Sequence, residues 1–300
     1  MTHAPARGVV RRIEPGEARA ALDGARAVLD ARDDAAFARG HWPGAGHVPI
    51  AELESRRTEL PPRDVPLVVV AASAEDAEHA AQAVASLGYA DVRWLAAAIA
   101  GVAGADDRAP AARLWRPAPF LEHVMPRLVA ARPRGRALDL AAGAGRESVF
   151  LALHGFEVEA VDDDRDILAS AAALAARHGV TITTTRIDLE RREVALAEAA
   201  YDVVTVFRFL HRPLFPAIER AIAPGGFLVY ETYRRGQERF GRPKHPRFLL
   251  DDGELATAFP SLSVEHCEEP SPAEGPITAR LLARRPRPSD RSNCRAGRPF

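Results

Sequence analysis

Cysteine is almost missing from this chain of 300 residues: Cys267 and Cys294 are the only two. Two thiols build neither a disulfide framework nor a four-thiolate zinc site, and their scarcity points to a reducing compartment. Lysine is scarcer still, with Lys244 alone among 40 basic residues. No apolar run approaches the ~20 residues that span a bilayer. The opening MTHAPARGVVRR lacks the apolar core of a secretory signal. The cytoplasm is therefore the expected compartment, and no membrane partner is expected. Excess charge is absent too. A formal net charge of -1 gives no bulk pull toward nucleic acid, which is not the expected partner. What is present, 47% apolar and 27% charged residues, is ordinary globular composition. A chain of this length suits two domains of roughly 100–200 residues each.

The pattern along the chain divides it into residues 1–105, a linker over 106–119, a larger domain over 120–283 and a tail over 284–300. The stretch around the linker, GVAGADDRAPAARLWRPAP, has Gly, Ala and Pro with no sustained period. Trp115 is out of place in a solvated linker and is expected to dock. The tail carries six Arg against Asp290 and offers little to bury; disorder is expected there. In the first domain, 27–30, 67–71 and 92–95 read as strands. Residues 75–87 read as a helix with its stripe at Ala77, Ala80, Ala81, Val84 and Leu87, stopped by Gly88. In the second, strands are expected at 137–141, 158–161, 182–187, 203–207 and 227–230, with a helix at 164–178 between them. Two last strands, 262–268 and 277–283, read as a closing hairpin. Strands separated by helices predict α/β architecture with parallel sheets covered on both faces.

The most informative segment is RALDLAAGAGR, residues 136–146. A strand runs into a loop of small residues and then a helix. In open parallel sheets, ligands sit beyond the carboxyl ends of the strands. Gly143 and Gly145 permit close backbone approach or positive φ, and the helix start presents free N–H groups. A methyl at Ala141 is tolerated at negative φ and strained at positive φ. Asp162, at the end of the next strand, is placed to accept bonds from ribose hydroxyls. Asp188 follows the third strand and suits an adenine amino group. Asp139, inside the first strand, is expected to face polar groups of the ligand. A nicotinamide dinucleotide fingerprint would need a third glycine where Ser148 stands.

This part resembles the class I S-adenosylmethionine-dependent methyltransferases, and within them the tellurite-resistance group. The likeness rests on LDLAAGAGR, Asp162, Asp188, YDVVTVF, APGGFLVYE, FRFLHRPLF and the terminal hairpin. It implies a Rossmann-like, mostly parallel seven-stranded sheet ending in an antiparallel hairpin. It implies S-adenosyl-L-methionine as cofactor, with the methionine moiety near residues 141–145 and the ribose on Asp162. The family's usual motif has glycine where Ala141 stands. His211, just past a strand, is the candidate general base, with Tyr230 and Tyr233 as alternatives. Residues 234–247 hold five Arg and Lys244 against Glu238. With Arg208, this loop makes Arg234 and Arg242 candidates for binding an anionic acceptor. A non-catalytic nucleoside sensor and a nicotinamide oxidoreductase are the competing classes. No metal site is expected.

The first domain resembles the rhodanese family, through LDARD and GHWPGAGHVP at residues 29–33 and 40–49. Family chemistry needs a persulfide-forming cysteine after the central strand. The sequence there is LVVVAASAEDAEHAA, with Ala72 at that position and Glu75, Asp76 and Glu78 beside it. Persulfide chemistry requires a thiol, so sulfurtransferase activity is expected to be absent. Scaffolding, binding of a protein partner, or covering the pocket of the larger domain is the role expected for this domain. His41 and His47 are expected to make structural bonds.

Overall fold

Short apolar runs alternating with amphipathic segments leave the chain one economical arrangement: strands paired in parallel, with helices on their faces. The computed structural model describes residues 9–191, 193–272 and 276–288 and divides into two compact units, Met1–Arg116 and Pro117–Phe300.

The smaller unit holds five parallel strands, β1 (Val9–Ile13), β2 (Ala27–Asp30), β3 (Gly46–His47), β4 (Leu67–Val70) and β5 (Asp91–Leu95), in the order β1-β5-β4-β2-β3. The central β2 and β4 are buried along their whole lengths, as a sheet covered on both faces demands. Its helices are α1 (Ala18–Asp23), α2 (Asp34–Arg39) and α3 (Ala74–Ser86). Helix α3 buries Ala77, Ala80, Ala81 and Val84, the predicted stripe. It starts one residue earlier than the pattern suggests because Ser73 caps it, accepting the Asp76 N–H at 3.1 Å. Gly88, at φ +94°, follows the helix. Residues 102–116 form no helix or strand, yet the segment is laced onto this unit. His41 and Asp107 exchange backbone hydrogen bonds at 2.9 and 3.0 Å, and Ala112 N–H donates to Ala45 at 2.9 Å. Trp115 is fully buried.

The larger unit holds seven strands: β6 (Arg136–Leu140), β7 (Glu157–Asp162), β8 (Thr183–Arg186), β9 (Tyr201–Phe207), β10 (Ile222–Tyr233), β11 (Ser263–Glu268) and β12 (Thr278–Arg284), in the order β11-β12-β10-β9-β6-β7-β8. Strands β6 to β10 are parallel, while β12 runs antiparallel to both β10 and β11, the predicted closing hairpin. Helices α4 (Pro119–Ala131), α5 (Arg146–Leu153), α6 (Arg165–Arg177), α7 (Phe215–Ala221) and α8 (Glu254–Thr257) complete it. Strand β10 begins five residues before its apolar run. Ile222 pairs with Tyr201, and the register then shifts across Pro224 and Gly225 before resuming at Phe227. Chain order reverses at β6: β7 and β8 lie on one side, β9 and β10 on the other. The tail begins later than expected. Arg284 belongs to β12, and Arg285 donates its N–H to Gly226 O at 2.9 Å and its Nη1 to Ile222 O at 2.5 Å. The expectation of disorder falls otherwise on residues from Ser289 onward, which lie outside the described residues.

Candidate active site

The loop of residues 141–145 turns the chain from β6 into α5 with three left-handed residues: Ala141 at φ +55°, Gly143 at +53° and Gly145 at +81°. The two glycines serve different ends. At Gly145 an added Cβ would lie 2.5 Å from the Ala171 Cβ, so the missing side chain lets α5 pack closely on α6. At Gly143 an added Cβ would meet nothing within 4 Å; the backbone there faces open space. Ala141 carries its methyl in the region where a non-glycine residue costs roughly 1–2 kcal/mol. That methyl packs against the apolar core, which offsets part of the strain. No side chain caps the start of α5, so its first N–H groups remain available.

Asp162, at the end of β7, is clamped to this loop. Its Oδ2 accepts the Gly143 N–H at 2.9 Å and its Oδ1 accepts the Asp164 N–H at 3.2 Å. Each oxygen keeps a further lone pair, which suits a pair of ribose hydroxyls. Asp188 follows β8 and lines a cleft of about 550 Å³ with Asp163, Ile187 and Val194. Its Oδ1 accepts the Glu190 N–H at 3.0 Å.

Asp139 does not face a ligand. It is 2% exposed. Ser148 Oγ donates to its Oδ2 at 2.5 Å, and Thr205 Oγ1 donates to its Oδ1 at 2.8 Å. Burial, reinforced by the nearby Glu147 carboxylate, pushes its carboxyl up to about 7, against the pull of the two hydroxyls. Both oxygens are engaged in tying β6, α5 and β9 together beneath the loop.

On the other side of β6, the ends of β9 and β10 open onto a cleft of about 590 Å³. Arg208, Phe209, Tyr233, Arg242, Lys244 and Phe248 line it, with Leu210, Pro243 and His245. Arg208 is itself left-handed, at φ +58°. Its Nη2 donates to Glu147 Oε1 at 2.9 Å, an oxygen that also accepts the Ala118 N–H at 3.2 Å. Of the residues singled out in the sequence, Arg208, Tyr233 and Arg242 thus share one cleft. Three others do not enter it. Tyr230 is 1% exposed and donates its hydroxyl to Phe209 O at 3.0 Å; burial holds its phenol far above the usual range, so it is a core residue and not a base. His211 lies where the chain turns inward toward buried Leu214, and its Nε2 is buried without a hydrogen-bond partner. Arg234 is spent on Asp252 at 2.9 Å, on Glu269 O at 3.2 Å and on Ser271. Lys244 and His245 are visible in the sequence only as members of a basic run, and Phe248 lies just past it. Ser148, Thr205 and Glu147 carried a fainter signal, polar residues inside otherwise apolar elements.

In the smaller unit, β4 passes through Ala71 and Ala72 directly into the Ser73 cap of α3. Ser73 Oγ also donates to Asp76 Oδ2 at 2.7 Å. His41 stacks on Phe37 at 3.8 Å and bonds Phe37 O at 3.3 Å, while His47 bonds Arg32 O at 2.9 Å. Both are structural. Among the described residues no cluster of His, Cys, Asp and Glu would hold a metal. Cys267 lies on β11 against the core, its thiol pushed up by burial, and no described helix is long and apolar enough to cross a membrane.

The larger unit is thus an open α/β domain with a glycine loop and an acidic clamp at the carboxyl edge of its sheet. Comparison with protein families gives the particulars: residues 14–105 match the rhodanese-like domain, and residues 123–230 match the tellurite resistance protein TehB. The chain thus carries a stretch similar to the rhodanese-like domain followed by one similar to TehB. Among solved structures, TehB from Haemophilus influenzae is 19% identical, covering 53% of this chain and 62% of its own, with a TM-score of 0.44. An S-adenosylmethionine-dependent methyltransferase from Mesorhizobium loti is 21% identical over 54% of this chain and 97% of its own, with a TM-score of 0.44. A further such enzyme from Aquifex aeolicus is 15% identical over 54% and 88%, also at 0.44. Comparison with curated proteins returns no match.

Two outcomes follow from the loop and the carboxylate beneath it. Ala141→Gly relieves the left-handed strain but frees the unfolded chain, and should stabilise the protein by roughly 0.5–1 kcal/mol in denaturant melts. Asp139 keeps its proton in the folded state up to about pH 7, whereas the unfolded chain loses it near pH 4. Its contribution therefore falls as pH rises across that window and is constant above it. Urea melts at several pH values should show wild type losing stability relative to Asp139→Asn from about pH 4 to about pH 7. A difference independent of pH would contradict the assignment.

Proposed function

We propose that the larger unit transfers a methyl group from S-adenosylmethionine to an acceptor held beyond β9 and β10. The observation that carries this reading is positional. The loop after β6, clamped by Asp162, stands between the cleft of Asp188, on the β7–β8 side, and the cleft of Arg208 and Tyr233, on the β9–β10 side. The residues present suit the cofactor: open backbone at Gly143, a carboxylate for the ribose at Asp162, and a second carboxylate, Asp188, for the adenine amino group. When bound, S-adenosylmethionine supplies a methyl group already activated by its sulfonium. The protein's task is then to bind, to exclude water and to orient the acceptor at about 3–3.5 Å, which can supply roughly 7–11 kcal/mol.

The withdrawal of His211 and Tyr230 bears on the proton. His245 Nδ1 accepts the Arg247 N–H at 3.2 Å, which in the neutral ring leaves the proton on Nε2. Tyr233 then offers the cleft a hydroxyl that can hydrogen-bond and orient the acceptor. An acceptor that arrives deprotonated needs no base at all.

The smaller unit, in the same reading, is a scaffold or partner-binding module without sulfur chemistry. Ala72 offers no thiol, and the chain enters α3 through a serine cap flanked by Glu75 and Asp76, which disfavours an anionic sulfur donor. Transfer of sulfur from thiosulfate to cyanide should stay at the buffer background; turnover above it would overturn this part.

Calorimetric titration of the whole chain tests the main proposal. S-adenosylmethionine should bind, and Asp162→Ala should weaken it by about 10- to 100-fold, the loss of charged hydrogen bonds worth roughly 1.5–3 kcal/mol. Equal affinity in the two proteins would remove Asp162 from the site, and no binding to wild type would end the reading.

A further inference from the structure

Resting on that reading, we infer that the methyl acceptor is a small aromatic acid, a flat apolar body carrying one carboxylate or phosphate. The cleft beyond β9 and β10 has three features that narrow its ligand. The first is charge. Arg208, Arg242 and Lys244 line it and no carboxylate does. Arg208 is balanced by Glu147, whereas Arg242 and Lys244 have no ion pair among the described residues. Their exposed head groups lie on a loop whose other basic residues are largely taken: Arg234 by Asp252, Arg235 by Asp251 and Arg247 by Glu190. An acidic head group would find two uncommitted cations, and a cationic or neutral acceptor would leave them unmatched.

The second feature is the wall. Phe209, Leu210, Pro243, Phe248 and the Tyr233 ring supply apolar and aromatic surface beside those cations. Flat rings pack edge-to-face or offset on such side chains, with a gain beyond that of area burial alone. An inorganic oxyanion would satisfy the cations and leave this wall in water. The third feature is size. About 590 Å³ falls within the usual range for small organic ligands and far exceeds one oxyanion. The side chains that a long basic groove would need for nucleic acid are here engaged in ion pairs that hold the loop.

The test uses the whole chain and calorimetry with four probes: 2-naphthoate, 2-naphthyl phosphate, the neutral 2-naphthamide, and tellurite as the inorganic oxyanion. At least one of the two aromatic acids should bind about tenfold or more tightly than both the amide and tellurite, and the tighter acid identifies the head group. Arg242→Gln combined with Lys244→Gln should weaken that acid by at least about tenfold, with the melting temperature unchanged. Equal binding of the amide, tighter binding of tellurite, or indifference to the double substitution would each overturn the inference. Titrating S-adenosylmethionine separately keeps the two readings apart. Binding of an aromatic acid without the cofactor would leave this site standing and remove the methyltransferase; binding of the cofactor with neither acid would do the reverse.

Discussion

The site of the larger unit is built over one buried carboxylate. Asp139 sits near the carboxyl end of the interior strand β6 and takes one hydroxyl from α5 and one from β9. A buried carboxyl without partners would be costly; with Ser148 and Thr205 closed on it, the cost becomes a reason for β6, α5 and β9 to hold one arrangement. That arrangement fixes the start of α5 and thereby the loop above it. The same helix supplies Glu147, the residue after its first, which holds Arg208 at the rim of the neighbouring cleft. The loop and the Arg208 cleft therefore share a foundation.

Strain is concentrated along the same edge. Ala141 and Arg208, two of the three described non-glycine residues with positive φ, follow the ends of β6 and β9, the adjacent strands where chain order reverses. Such conformations persist where surrounding contacts over-determine them. Here the contacts are identifiable: the core beside the Ala141 methyl, and Glu147 on the Arg208 guanidinium. The left-handed turn at each strand end redirects the chain abruptly, which leaves the carboxyl edge open for a ligand.

Much of the architecture was legible because it depends on periodicity. Buried strands such as 203–207 and the stripe of α3 announce themselves, and LDLAAGAGR marks the strand–loop–helix unit. What was hidden has a common cause. Strand β1 is an edge strand with four exposed residues of five, and α1 and α2 span six residues each, too few to show a 3.6-residue period. At the site, the error over Asp139 came from reading a polar residue in a strand as pointing to a ligand. Its partners, Ser148 and Thr205, are nine and 66 residues away, and only the folded chain reveals that they satisfy it. Tyr230 misleads for the same reason, since its hydroxyl is consumed by a carbonyl 21 residues earlier.

The basic loop shows most clearly why composition does not assign function. Residues 234–247 look predominantly cationic in the sequence, yet their charges divide by partner. Arg234 and Arg235 meet Asp252 and Asp251, and Arg247 meets Glu190. These pairs draw the loop back toward the body of the domain. Arg242 and Lys244 sit between the anchored ends, at the cleft. A paired cation has its field largely cancelled by its neighbour, whereas an unpaired one beside apolar surface retains its attraction for an anion. The acidic residues outside the run, invisible to a local charge count, thus decide which of its cations remain free to select a ligand.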